Sequence, residues 1–408
     1  MKTNYYIALQ PICDRKLIHV GDELLYRSAT NDAAEFDDDM LATARSVHVA
    51  FHEFDIQDLV AHRKLFINVS REWLLNPHLL PPHPQQVVVE VLESVEADTE
   101  VLHALQQIRA QGYAIALDDF VLNEGTQALL DVATLVKIDR WQTMSAKEVD
   151  YYKQKGLKLL AEKVEEVEDF KRLSKLGFDY FQGYFYAKPE LQLKTRRERS
   201  SNRKAQLKIL SELQKEYPSF ERLEELIVQD PQLTFVVLRQ ANSVYYARIN
   251  KAHTVYEAIN TIGLKQVKSI VLTIMLADNG PASRLLLPQL LTRAAMCEHL
   301  ALEQNLDPDL AFTAGLLSLM NVFMGRPLDE LLLETGLDEL SMRVIIEHYG
   351  AIGQLLKTVE DFEAAQIHSL QDYEAEELNQ AWLESRVWAE KILKETLLSP
   401  EELRCYGT

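Results

Sequence analysis

The chain has 408 residues, 47% of them hydrophobic and 26% charged, and sets 43 Lys+Arg against 62 Asp+Glu for a net charge of −19. That length exceeds one ordinary core and predicts two or three domains. The acidic balance disfavours general nucleic-acid binding, the scattered Cys13, Cys297 and Cys405 exclude a disulfide framework, and no stretch resembles a signal peptide or membrane-spanning helix, so a cytoplasmic protein is expected.

In chain order, Tyr5–Ile12 reads as a strand, and after a turn at residues 14–16 the chain returns through residues 17–21 and 22–28. There Glu23, Leu25 and Arg27 alternate with Leu24 and Tyr26, so acid and guanidinium share one strand face. The pair is either a phosphate clamp beside a metal-binding carboxylate or an ordinary ion pair. A helix is expected over about residues 37–54. Leu65–Ser70 follows as a buried strand with Phe66, Asn68 and Ser70 on one face, where Asn68 needs a metal or a backbone hydrogen bond to satisfy it.

After the prolines at 81, 82 and 84 come three short β-branched runs that each break into acid: Val87–Glu93, Tyr113–Leu117 leading into Asp118 and Asp119, and Leu135–Asp139. They are too short for buried helices, and the helix Ala97–Gln111 separates the first two. Together they deliver Glu90, Glu93, Asp118, Asp119, Asp139 and Lys137 to one rim. Acids so gathered around a single lysine call for more positive charge. An all-oxygen donor set without histidine or cysteine suits Mg²⁺ or Mn²⁺. Leu157–Glu165 and Phe178–Tyr184 close a strand–helix–strand series whose polar residues lie at carboxyl ends, the pattern of a (β/α)₈ barrel.

The basic run at residues 194–204 reads as a solvated linker. From Gln206 the hydrophobic period becomes helical, with helices expected at Glu221–Gln229, Leu233–Asn242, Val255–Ile262, Leu264–Ala277, Leu286–Glu303, Asp309–Met324 and Glu339–His348. His299 and His348 read as capping or core residues, and Trp382 and Trp388 as packing residues of a closing helix. Asn242 and Ser243 form either a helix C-cap or, with Arg239, a recognition point for a partner.

Gln10-Pro11-Ile12, Glu23-Leu24-Leu25-x-Arg27, Phe66–Ser70, Glu90-x-x-Glu93, Asp118-Asp119-Phe120, Lys137-Ile138-Asp139, Ala161-Glu162-x-Val164-Glu165 and Gln182-Gly183-Tyr184 follow in the order of EAL-domain motifs. Residues 1–190 thus resemble EAL domains, bacterial phosphodiesterases that open cyclic di-GMP to linear pGpG. The resemblance implies a two-metal site: Glu23, Asn68, Glu90 and Asp118 match first-ion ligands, while Asp119, Asp139 and Glu162 match residues at or beside the second. It implies that Lys137 positions the attacking water, that Gln182 lies near the nucleophile and Glu165 in the same acidic shell, that Arg27 and Gln10 meet the substrate, and that Glu93 anchors the loop after Asp119. Three departures stand out: Val121–Gly125 in place of a glycine-rich loop, Lys163 in place of glycine, and Leu92 in place of threonine. The segment 140–156 is also shorter than usual, so a dimerisation helix is expected to be reduced.

Asp230-Pro231-x-Leu233, Leu238-Arg239-x-Ala241-Asn242-Ser243 and Ala258-Ile259-x-x-Ile262-Gly263 resemble HDOD domains, all-helical modules akin to HD-type phosphohydrolases. The metal-dependent relatives carry a His-Asp pair after an Ala-Gly-Leu-Leu run. Here Ala314–Leu317 is followed by Ser318-Leu319, so no hydrolysis is expected in this half. The expected architecture is therefore a TIM-like barrel of EAL type over 1–190, a linker over 191–204 and a helical HDOD-like domain over 205–408. Its expected function is cyclic di-GMP hydrolysis coupled to protein contacts of the helical half, with a homodimer possible in principle. The alternatives are a catalytically weak receptor or scaffold and hydrolysis of another phosphodiester.

Overall fold

The structure is a computed structural model that describes residues 5–28, 55–187, 208–213, 215, 217–228, 231–242, 252, 254–277, 281–324, 327–335, 339–364 and 375–397. The side chains of a few residues within those elements, Arg27 among them, lie outside that description, as do the expected helix at 37–54 and Ser243. The chain divides into two compact units, residues 1–186 with 373–379 and residues 187–372 with 380–408.

In the first unit eight strands close a barrel in sequence order: β1 (Tyr5–Asp14), β2 (His19–Ser28), β3 (Lys64–Val69), β4 (Val87–Val91), β5 (Ala114–Leu117), β6 (Leu135–Ile138), β7 (Lys158–Ala161) and β8 (Tyr180–Gln182). β2 through β8 pair in parallel, whereas β1 is antiparallel to both β2 and β8. The expected (β/α)₈ barrel thus holds, and it starts with the turn and returning strand read from residues 14–21. The tight turn at Asp14–Ile18 leaves no room for a crossover helix, so β1 and β2 form a hairpin.

β7 ends at Ala161, short of the run to Glu165 read from the sequence, because Lys163 turns the backbone to φ 53°. The helix expected at Ala97–Gln111 spans Thr99–Ala110, started by Asp98 accepting from Val101 N.

Strand alternation fixes what faces the barrel interior. Ile12, Phe66, Val88, Ala116, Leu135 and Leu160 form one buried apolar layer, with Tyr180 packed against it. Side chains alternate with a period of two, so the next inward residues toward the carboxyl ends are Asn68, Glu90, Asp118, Lys137, Glu162 and Gln182. On the two hairpin strands Gln10 pairs with Glu23 in register. A hydrophobic plug therefore seals one end of the interior, and a ring of polar groups caps it.

The described elements of the second unit are helices. Val255–Ile262 and Leu264–Ala277 match expectation residue for residue, and the first is started by a Thr254–Glu257 capping box. The helix expected at Asp309–Met324 is two, Pro308–Leu317 and Met320–Met324. Ser318 donates back to Gly315 O at 2.8 Å, the local competition by a hydroxyl that weakens a helix interior. Helices at Leu328–Thr335 and Gly350–Glu363 were not expected from the sequence. Among the described residues no helix is long and apolar enough to cross a membrane.

Candidate active site

Lys137 lies at the centre of the polar ring. Its Nζ is 2.8 Å from Asp118 Oδ1, 2.9 Å from Glu90 Oε1, 3.0 Å from Glu162 Oε1 and 3.2 Å from Glu23 Oε2. Lys137 and Glu90 are both 0% exposed. One ammonium among four carboxylates leaves a formal charge of −3 if all ionise, which a low-dielectric interior does not tolerate. Burial accordingly pushes Glu90 well up, aided by the Glu23 charge and opposed by Lys137. Burial likewise raises Asp118 and takes Glu162 up to about 8. For Lys137 burial works against the charged form, but Glu90, Glu23, Glu162 and Asp118 outweigh it and the group is held well above the ordinary lysine value.

The surroundings fix these groups in place. Gln182 Nε2 donates to Glu23 Oε2 at 2.6 Å, and Asn68 Nδ2 donates to Glu23 Oε1 at 3.4 Å. Glu162 N donates to Ile138 O at 3.0 Å, while its own carbonyl accepts from the buried Trp141 indole at 2.7 Å. Trp141 was missed in the sequence, although a buried tryptophan N–H generally needs a partner. Gly183 adopts φ 138°, and a Cβ there would lie 2.1 Å from Val164 O, so only glycine lets the end of β8 lie against the turn after β7.

Asp119 follows Asp118 at φ 40° and extends the site outward. Asp118, Asp119 and Glu162 each present an oxygen within 4.8 Å of the others, an arrangement that can hold a metal ion. Among the described residues, the buried Glu90 Oε2, Asp119 Oδ1 and Glu162 Oε2 have neither a hydrogen-bond partner nor the Lys137 ammonium against them. Unsatisfied carboxylate oxygens in a net-negative pocket are the donor set a hard divalent cation takes, so the residues fit the ion the sequence implies.

The structure thus gathers Glu23, Asn68, Glu90, Asp118, Asp119, Lys137, Glu162 and Gln182, with half-buried Gln10 beside Glu23. Asp139 lies just past β6, half-buried, with its Oδ2 3.4 Å from Lys163 Nζ. Glu165 is exposed beyond β7, and Glu93 is exposed and makes no hydrogen bond or ion pair among the described residues. The loop after Asp119 holds itself instead. Asn123 Oδ1 accepts from Gly125 N at 2.8 Å and Thr126 N at 3.1 Å, and Thr126 Oγ1 donates to Val121 O at 2.7 Å. Arg27 lies opposite Tyr6 in the β1–β2 register, its side chain beyond description.

In the helical unit Ser318, where the sequence lacks the His-Asp pair, accepts from buried Arg293 Nη1 at 2.9 Å. Arg293 also pairs with Glu360 Oε1 at 3.3 Å and with Glu363, and His348 Nε2 is 2.8 Å from Glu360 Oε2. His299 pairs with Glu303 and Glu384. Asn242 follows the helix Pro231–Ala241, and its backbone N–H donates to Leu238 O at 3.0 Å, as expected of a C-cap residue. Its side-chain amide donates to Ala252 O and accepts from Ala252 N, both at 2.8 Å.

Residues 6–189 match the family model of the EAL domain, and residues 201–335 match that of the HDOD domain. The uncharacterized protein YuxH of Bacillus subtilis is 26% identical over 405 residues, 95% of this chain and 98% of that protein. The cyclic di-GMP phosphodiesterase CdgJ of Vibrio cholerae is 26% identical over 402 residues, 95% of this chain and 93% of that protein. Among solved structures, the manganese/cyclic di-GMP complex of Klebsiella pneumoniae BlrP1 at pH 9.0 is 23% identical with a TM-score of 0.36, covering 45% of this chain and 55% of that one.

Proposed function

This chain joins an EAL domain to an HDOD domain, and from that premise we propose that it is a divalent-cation-dependent phosphodiesterase that opens cyclic di-GMP to pGpG. The observation that carries the reading is the convergence of Glu23, Glu90, Asp118 and Glu162 within 3.2 Å of one ammonium, with buried carboxylate oxygens left unsatisfied beside it. The near full-length likeness to a cyclic di-GMP phosphodiesterase supports it.

Asp118, Asp119 and Glu162 would hold a Mg²⁺ or Mn²⁺ ion. A bound divalent cation offsets phosphodiester charge and makes water a nucleophile near neutral pH. The chain's own groups supply the rest. The Gln182 and Asn68 amides fix both oxygens of Glu23, Lys137 balances the enclosed Glu90, and the apolar layer beneath closes the site to water from below. The HDOD half, with no metal-capable cluster among its described residues, acts as a protein-contact module that couples the activity to a partner.

A receptor without turnover is the second reading. It is favoured by Val121 and Leu122, which stand exposed on the altered, self-bonded loop after Asp119.

Incubation of the purified protein with cyclic di-GMP and Mn²⁺ or Mg²⁺, with product followed by chromatography, tests the proposal. pGpG that forms with the parent and not with Glu23→Ala supports the enzyme. Nucleotide binding without product supports the receptor, and neither binding nor product leaves a scaffold. Turnover of an unrelated phosphodiester in preference to cyclic di-GMP would reassign the substrate.

A further inference from the structure

Lys163 stands where the backbone disfavours it. At φ 53° it occupies the left-handed region that suits glycine, and a side chain held there against that preference points to a role. Its ammonium is 3.4 Å from Asp139 Oδ2, and the carboxylates acting on it are Asp119, Asp139 and Glu162. The outer rim is thereby divided. Asp118, Asp119 and Glu162 keep oxygens within 4.8 Å of one another, whereas Asp139 is engaged by a tethered cation.

A second divalent ion that used Asp139 would have to displace that ammonium or sit against like charge a few ångströms away. We propose that Lys163 is a built-in substitute for a second cation: paired with Asp139 at the rim, it limits the barrel to one exchangeable divalent ion, at Asp118, Asp119 and Glu162. The inference rests on the cation-dependent reading above and replaces the two ions that the family resemblance implies with one. With its side chain 68% exposed, the Lys163 head is also open to an anionic ligand.

The test counts ions in the full-length protein, independently of turnover. Mn²⁺ is titrated and free ion is measured by electron paramagnetic resonance, for the parent and for Lys163→Gly, Lys163→Gln and Lys163→Arg. The parent and Lys163→Arg should take one ion. Lys163→Gly and Lys163→Gln should take a second, at least about tenfold tighter than any second ion in the parent, with the spectral broadening of neighbouring Mn²⁺ centres.

Two ions in the parent, or one in every variant, would overturn the inference and leave the phosphodiesterase reading intact. A second ion in Lys163→Gly alone would assign the effect to the backbone and overturn the role of the charge. No Mn²⁺ bound by any of the four would overturn both readings.

Discussion

Replacing Lys137 with methionine removes the ammonium from the inner cluster while keeping most of the side-chain volume. Four carboxylate oxygens now 2.8 to 3.2 Å from Nζ would lose their counter-charge, and one of them belongs to the fully enclosed Glu90. Removing one partner of a buried ion pair typically costs about 3–5 kcal/mol. At about 2–4 °C per kcal/mol for a unit of this size, the barrel transition should fall by about 6–20 °C at pH 8 in chelator.

The cost should depend on pH. Burial already holds Glu90, Asp118 and Glu162 above the ordinary carboxylate range, and loss of the ammonium raises them further. A group raised on folding contributes stability that is complete below its unfolded value and is lost as pH rises through its folded value. The variant should therefore lie closer to the parent at pH 5 than at pH 8. Mn²⁺ supplies the missing charge, so it should raise Tm more in the variant than in the parent. Thermal unfolding followed by far-UV circular dichroism, with chelator and with Mn²⁺, reads both effects. A variant within about 2 °C of the parent at pH 8 in chelator, or a Mn²⁺ shift no larger than the parent's, would refute the electrostatic account.

Glu162 carries a separate pH signature. With its carboxyl pushed up to about 8, the metal-free protein should lose on the order of 4–5 kcal/mol between the unfolded carboxylate value and full ionisation above pH 8. Glu162→Gln should flatten that loss, as read from urea midpoints at pH 6 and 8.5, and an unchanged slope would count against it. Arg293→Ala would take the buried guanidinium from Glu363, leaving it the Gln289 amide, and from Glu360, leaving it His348, so the helical unit should lose about 3 kcal/mol. Unchanged thermal unfolding of that unit would show the network to be dispensable. Gly183→Ala would place a methyl 2.1 Å from Val164 O. The barrel should then unfold at clearly lower denaturant or fail to fold, and parent-like behaviour would mean that β8 can move away at little cost.

Much of the site was legible because a strand has a period of two. Once Phe66, Val88, Ala116, Leu135 and Leu160 are inward, Asn68, Glu90, Asp118, Lys137 and Glu162 must be inward too, and the sequence alone determined that acids and one lysine would share a rim. It likewise determined the amphipathic helices Val255–Ile262 and Leu264–Ala277. Only the tertiary structure decided which rim residues meet. Glu93 and Glu165 lie two and four residues past the ends of their strands, where the ladder no longer dictates direction, and both are exposed, whereas Asp139, one residue past β6, stays half-buried against Lys163. Lys137 as the hub of four carboxylates, Trp141 on the Glu162 carbonyl and Lys163 against Asp139 join residues on different strands and turns. Such contacts depend on barrel closure, which brings distant segments to within hydrogen-bond reach and leaves no local pattern in the chain.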